Sequence, residues 1–297
     1  MGGTLTSYTG KMKTVEYPII SCSRRTDIPA HLMSWVLDKI KSGYVDVRNP
    51  FNPLMIQRVI LKPTVVKCWV WWSKDFSQWI KAYYENLELF RLFKGHFFQF
   101  TINTPCELES GVKASLDERI NQLKILVEEF SPSAVTLRFD PIVFYRNAGS
   151  TQVKNNLSSF EYIVKKAAEL NVKELVFSFI ALYPKVVSRM ISRGKIPIRL
   201  SLEEKQRIIE NLLIICRDYE ITLKACCQPE LLDIIGIQQS RCIDAYKIER
   251  LIKTSLPKVK DKGQRVNCAC HRSIDIGGYT GFFSCKHNCD YCYGSPK

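Results

Sequence analysis

The chain has 297 residues, 46% of them apolar, enough for one large α/β domain or two small ones with a sizeable core. Its formal net charge of +14 favours anionic partners, nucleic acid first, beside the plainer role of keeping a chain soluble. No apolar run approaches the roughly 18–20 residues that span a bilayer, so no membrane partner is expected. No signal peptide opens the sequence, and the expected compartment is therefore cytoplasmic. Met1–Thr6 fits the loose myristoylation pattern, which is short enough to arise by chance. Twelve cysteines in such a chain point to metal or redox chemistry rather than a disulfide framework.

Residues 1–16 read as a loosely attached lead. Tyr17–Cys22 is a short apolar strand, and Pro29 opens a helix to about Ser42. Gly43 stands where a left-handed helix cap is wanted. Tyr44–Arg48 and Met55–Leu61 are strand-like and separated by Asn-Pro turns, which predicts a hairpin. Val65–Trp72 is almost continuously apolar, as suits a strand buried on both faces. A helix is expected from about Phe76 to Phe93, then a strand at Phe97–Asn103. Ser115 and Glu118 form a capping box, and the helix behind it aligns Leu116, Ile120, Leu123, Val127 and Phe130 on one face. Ala134–Ile142 is the next strand. Ser158 and Glu161 give a second capping box, with its helix running to Leu170, and Glu174–Ile180 follows as a strand. Tyr183–Arg199 is a basic, partly helical connection. Ser201 and Glu204 open a helix to about Asp218, Ile221–Cys227 is a strand, and a last helix covers about Ile243–Thr254. This alternation argues for parallel strands joined by crossover helices. A doubly wound sheet and an open or closed barrel both satisfy it. The division expected is a main domain over 1–257 and a Cys-rich tail, 258–297, packed on its mouth.

The tail carries the strongest chemical signal. Cys285, Cys289 and Cys292 are spaced C-x3-C-x2-C. Thiolates that close in sequence can wrap one compact metal centre, and iron–sulfur clusters are held by runs of this kind. A three-cysteine run leaves one iron without a protein ligand. Zinc is the competitor, but it prefers four closed ligands, and His287 lies too near both flanking cysteines to share their tetrahedron. Four further thiols suggest a second centre: Cys268 and Cys270 with Cys242 and Cys227, or Cys226 in place of Cys227. It would hold an auxiliary iron–sulfur cluster or a structural zinc. The plainer reading is small buried residues, common for free cysteine.

Strand-end groups follow. Arg24, Arg25 and Asp27 come after the first strand, with the means to bind a carboxylate or phosphate bidentately. An internal ion pair with a helix cap at Asp27 is the alternative. Arg138 and Asp140 end another strand, and mutual pairing is their plain reading. Trp71, Trp72, Ser73 and Lys74 end a third, where an aromatic ring beside a cation can stack a base. Asn103 fills an equivalent position, and Asp275 precedes the tail loop and is suited to orient it.

The run Gly278-Tyr279-Thr280, continued by Cys285-Lys286-His287-Asn288-Cys289-Asp290-Tyr291-Cys292-Tyr293, resembles the cluster loop of radical S-adenosylmethionine (SAM) enzymes. It is closest to those like spore photoproduct lyase, in which an aromatic residue precedes the third cysteine. The whole chain also resembles an uncharacterised bacterial domain-of-unknown-function family. That likeness rests on Ser23–Pro29, Arg48–Pro53, Arg138–Ile142, Cys242–Asp244 and Ser273–Gly277. The resemblance implies a (β/α) barrel, six-stranded and partial, like a reduced TIM barrel, with chemistry at the carboxyl ends of its strands. It implies that Cys285, Cys289 and Cys292 ligate a [4Fe-4S] cluster whose free iron chelates SAM, with Tyr291, Tyr293, Asp275 and Asn103 around the cofactor. A reductant such as flavodoxin or ferredoxin would supply one electron, and the resulting deoxyadenosyl radical would take a hydrogen from substrate. From their strand-end positions Arg24, Arg25, Asp27, Arg138 and Asp140 are the candidate catalytic set, and the basic charge with the likeness to a photoproduct lyase makes nucleic acid the first substrate class, a small metabolite or peptide the next. Cluster loops of this kind usually follow the first strand. A circular permutation reconciles the C-terminal position, with the tail supplying a strand beside Tyr17–Cys22. The other class of function is a non-catalytic protein, stapled by zinc or an inert cluster, that binds nucleic acid.

Overall fold

The computed structural model describes residues 12–50, 52 and 54–294. The myristoylation pattern, most of the expected lead, and Phe51 and Pro53 lie outside these residues. The elements in chain order are β1 (Lys13–Val15), β2 (Ile19–Cys22), α1 (Ile28–His31), α2 (Met33–Ser42), β3 (Tyr44–Arg48), β4 (Ile56–Ile60), β5 (Cys68–Ser73), α3 (Ser77–Glu85), α4 (Leu87–Arg91) and β6 (Gly95–Thr101). Then come α5 (Leu116–Phe130), β7 (Val135–Ile142), β8 (Phe144–Asn147), β9 (Lys154–Asn155), α6 (Phe160–Glu169), β10 (Glu174–Phe179), α7 (Pro184–Ser192) and β11 (Lys195–Pro197). The last are α8 (Leu202–Asp218), β12 (Thr222–Ala225), β13 (Gln238–Gln239), α9 (Ala245–Ile252) and β14 (Ile274–Asp275).

The main sheet is parallel, with eight strands in the order β13-β12-β10-β7-β6-β5-β2-β14. From β2 to β13 the order follows the sequence without reversal, whereas a doubly wound sheet reverses at a switch point. β13 and β14 are its two edges. The ladder is therefore open, and the barrel closure expected above is not formed among the described residues.

Residues alternate between the two faces of each strand. Trp69 and Trp71 of β5, Phe98 and Phe100 of β6, and Leu137 and Phe139 of β7 join the core under α2, α3, α5, α6 and α8. Trp79 of α3 is its hub, with Trp71, Phe76, Tyr83, Phe90, Phe98 and Phe130 around its ring. Cys68 and Val70 of β5, Phe97 of β6 and Val176 of β10 face the other way. They pack against Ala245 and Ile248 of α9, and against Cys226, Cys242, Cys268 and Cys270. Both faces are covered, which explains the unbroken apolar run of β5.

Local signals explain many boundaries. Ser115 and Ser201 each complete the expected capping box, with Glu118 and Glu204. Gly43 adopts φ 77°, ending α2 as its position required. The pairing of Ser158 with Glu161 does not form; α6 starts one residue later, behind Ser159, without a side-chain cap. The long helix expected from Phe76 breaks at Asn86 into α3 and α4, and the one behind Pro29 breaks at Leu32 into α1 and α2. The β3–β4 hairpin is antiparallel as expected. Lys13–Val15 is not a loose lead but a strand parallel to β4. β8, β9 and β11 form a small antiparallel sheet that the sequence reading missed inside two connections. Among the described residues no helix is long and apolar enough to cross a membrane.

Candidate functional site

β14 brings the tail to the sheet. It pairs in parallel with β2, Ile274 opposite Ile20 and Asp275 opposite Ser21. Asp275 is buried and accepts hydrogen bonds from Ser21 Oγ (2.8 Å), Ser23 Oγ (2.7 Å), and the amides of Arg24 (2.7 Å) and Gly277 (3.0 Å). Arg25 reaches back to the Gly277 carbonyl at 3.1 Å. The tail therefore leaves the sheet at the carboxyl end of β2, where its cysteine loop begins.

The loop is fastened to the carboxyl ends of β2, β5 and β6. His287 Nε2 lies 2.9 Å from Asp27 Oδ2, and its ring packs 4.4 Å from that of His31. Asp27 caps α1 through the Ala30 amide at 3.0 Å and also accepts from Ser73 Oγ (2.7 Å) and the Lys74 amide (2.8 Å). Burial works against the Asp27 charge, but His287 and the Lys74 amide outweigh it and lower its pKa. Tyr291 donates its hydroxyl to Glu109, which is 4% exposed. Glu109 also accepts from Asn103 Nδ2 (2.6 Å) and Lys74 Nζ (3.0 Å). Arg189 of α7 donates to the carbonyls of Cys292 and Gly294, and Arg193 holds Asp290 at 2.6 Å and the Asn288 carbonyl at 2.9 Å. Tyr293 donates to the Arg24 carbonyl at 3.0 Å.

Cys289 is buried beside Leu108, Val143, Val186 and Met190, with Cys292 and Cys106 at the border of that cluster. Burial first, and Glu109 second, push the Cys289 thiol well up; burial and Asp27 push Cys285 up to about 11. Both shifts favour the protonated thiol, so a metal binding here would displace protons.

The second group of thiols lies on the face of the sheet that α9 covers. Cys226 and Cys242 stand 3.7 Å apart. Cys270 lies beside Cys242, Cys268 beside Cys270, and Cys227 beside both Cys268 and Cys226, which closes a ring of five. Arg138 Nη1 donates to Cys242 Sγ at 2.9 Å and the Ile243 amide to Cys270 Sγ at 3.4 Å. Arg24 faces Cys270 and Cys242, and Arg265 faces Cys227 and Cys226. All the described cysteines are free. Among the described residues no three His, Cys, Asp or Glu side chains already converge to hold a metal ion.

The candidate catalytic residues have structural partners. Arg24 pairs with Asp261 at 3.4 Å, and Arg138 pairs with Asp140, which also receives the Ser178 hydroxyl. Asn103 accepts the Asp140 amide at 3.0 Å. The Trp72 ring is covered by Arg24 at 5.2 Å and Arg138 at 5.4 Å, so the stacking surface considered for a base carries guanidinium groups instead. Trp71 points into the helix-side core. Arg24 Nη2 and Trp72 Nε1 are buried donors without a partner. Trp69 Nε1 and Trp79 Nε1 in the helix-side core are unpaired in the same way, so what distinguishes the Arg24 and Trp72 donors is their place beside Arg138 at the strand ends.

Sequence reasoning missed Glu109, Arg189, Arg193 and Arg265. Nothing separates Glu109 from a surface glutamate until the fold buries it. Arg189 and Arg193 had a usable signal, since a spacing of four places them on one helix face.

No curated protein matches the chain. A family described as a domain of unknown function (DUF1848) matches residues 19–294, from the first residue of β2 through the whole cysteine loop. The sheet, the ring of five thiols and the fastened loop all lie within that span, and the chain belongs to the DUF1848 family.

Proposed function

We propose that this chain is an iron–sulfur enzyme of the radical SAM type, using Cys285, Cys289 and Cys292 as ligands and acting on an anionic substrate, nucleic acid first. The observation that carries the reading is the register of β14 on β2. It sets the tail loop after a strand that precedes β2 in a consecutively ordered parallel sheet, which is the relation expected of a permuted barrel. A [4Fe-4S] cluster with SAM would supply reductive cleavage to a deoxyadenosyl radical.

The chain's own groups supply the rest. Asp275 sets the direction of the loop; Asp27 with His287, and Glu109 with Tyr291, anchor it at two points. Leu108, Val143, Val186 and Met190 keep water from Cys289. The orphaned Arg24 and Trp72 donors, beside Arg138, suit an acceptor-bearing ligand. An open cleft of about 430 Å³, lined by Arg241, Lys258, Lys260 and His271, adds positive charge beside Cys268.

The test is anaerobic purification with assay of iron, sulfide and zinc, and electron paramagnetic resonance of the reduced protein with and without SAM. Iron and sulfide, with a signal that SAM perturbs and that Cys289→Ala abolishes, support the enzyme. A cluster indifferent to SAM, or zinc at the loop, refutes it and leaves the metal-stapled nucleic-acid-binding protein.

A further inference from the structure

We propose that the ring of Cys226, Cys227, Cys242, Cys268 and Cys270 is a separate site for one tetrahedral thiophilic cation, zinc, held by four thiolates at a time. Cys242, Cys268 and Cys270 are the constant ligands, and Cys226 and Cys227 share the fourth position.

One spacing in the ring favours a single ion over a cluster. Four thiolates around zinc, each about 2.3 Å from it, stand about 3.8 Å from one another. Cys226 and Cys242 stand 3.7 Å apart. A cubane puts each thiolate on a different iron and holds them further apart. Among the described residues no three thiols converge on one point, so the proposal requires the side chains to rotate inward on binding.

The backbone gives an independent argument. Cys226 and Cys227 are adjacent, and on an extended chain their side chains would point to opposite faces. Cys227 instead adopts φ 55°, a left-handed conformation unusual for a residue with a Cβ. That turn brings both adjacent thiols to the ring, Cys226 beside Cys242 and Cys227 beside Cys268. Strain of this sort at a group of like donors points from geometry to a role.

Outer contacts suit thiolate ligands. Cys242 Sγ receives Arg138 Nη1 at 2.9 Å and has Ser240 Oγ at 3.6 Å, and Cys270 Sγ receives the Ile243 amide. Such N–H···S bonds orient metal thiolates and offset their charge. Arg24 and Arg138, which also pair with Asp261 and Asp140, and Arg265 face the thiols and would offset part of the two excess negatives of a four-thiolate zinc centre. The cleft beside Cys268 provides access. Three constant ligands from two distant segments, residue 242 and residues 268–270, would tie the tail to the sheet beside α9.

The test is made on the full chain with Cys285, Cys289 and Cys292 changed to Ser, which removes the loop centre and makes the outcome independent of the enzyme reading. The expected result is one zinc per chain and neither iron nor sulfide. Cobalt(II) added to the metal-free form should give the intense charge-transfer bands of a four-thiolate site, reversed by zinc. Cys226→Ser and Cys227→Ser should each keep the metal and the pair together should lose it. Arg138→Leu, which leaves every thiol in place, should weaken zinc binding about 10–100-fold. A folded loop variant that takes up neither zinc nor cobalt overturns the proposal, and so does one that retains iron with sulfide.

Discussion

Replacing Asp275 by Asn tests the link between β14 and β2 directly. Each carboxylate oxygen of Asp275 accepts one hydroxyl and one backbone amide: Ser21 Oγ with the Arg24 amide, and Ser23 Oγ with the Gly277 amide. Asparagine keeps one oxygen and replaces the other by a donor. The serine facing that donor can rotate and accept, but the amide facing it cannot. One buried N–H is therefore left without a partner, at a cost of about 1–3 kcal/mol, and the bonds that remain lose their charged acceptor. The sum is a loss of about 2–4 kcal/mol. Ser21→Ala removes a donor and orphans nothing, so its cost is about 1 kcal/mol. Urea unfolding followed by tryptophan fluorescence measures both, and an unchanged slope certifies that the midpoint reports stability. An Asn variant that unfolds no earlier than Ser21→Ala refutes the reasoning.

Three other outcomes follow from single contacts. A methyl group on Gly111 would stand 2.1 Å from the His287 carbonyl oxygen, so Gly111→Ala should lift the tail loop and speed chymotryptic cleavage at exposed Phe282; unchanged cleavage contradicts the docking described. Burial works to raise the Glu174 carboxyl, but Lys247 and Lys224 overcome it and hold it at about 2. Because the folded pKa is lowered, this stabilisation is present above the ordinary glutamate value of about 4.3 and is lost as pH falls towards 2. Glu174→Gln should flatten the acid limb of the stability curve across that window, and an unaltered limb counts against the ion pair. Trp79→Ala, at the aromatic hub under β5 and β6, should cost about 3–5 kcal/mol in the same urea assay, and a loss below about 1 kcal/mol would show that the hub repacks.

Much of the fold was written in short-range pattern. Ser115 with Glu118, Ser201 with Glu204, and Gly43 at its left-handed cap act within one helical turn. They were legible because capping depends on neighbours three or four residues away. The same rule failed at Ser158, where a turn shifts the helix start by one residue, and at Asn86 and Leu32, where no glycine or proline announced the break. β8 and β11 were hidden because they are short and their pairing spans α6, β10 and α7.

By itself the sequence determined that the sheet is parallel, since strands of continuous apolarity alternate with amphipathic helices and both faces must be covered. It also determined the three-cysteine spacing of the tail. Only the tertiary structure decided that the tail returns to the first strand, that Asp275 lies under Ser21 and Ser23, and that Glu109 is buried beneath Tyr291. It likewise decided that Cys226, Cys227, Cys242, Cys268 and Cys270 meet in one ring. The physical reason is sequence distance: caps and periodicity act over a few residues, whereas Ser21 and Asp275 are 254 residues apart and meet only once the strands between them are assembled.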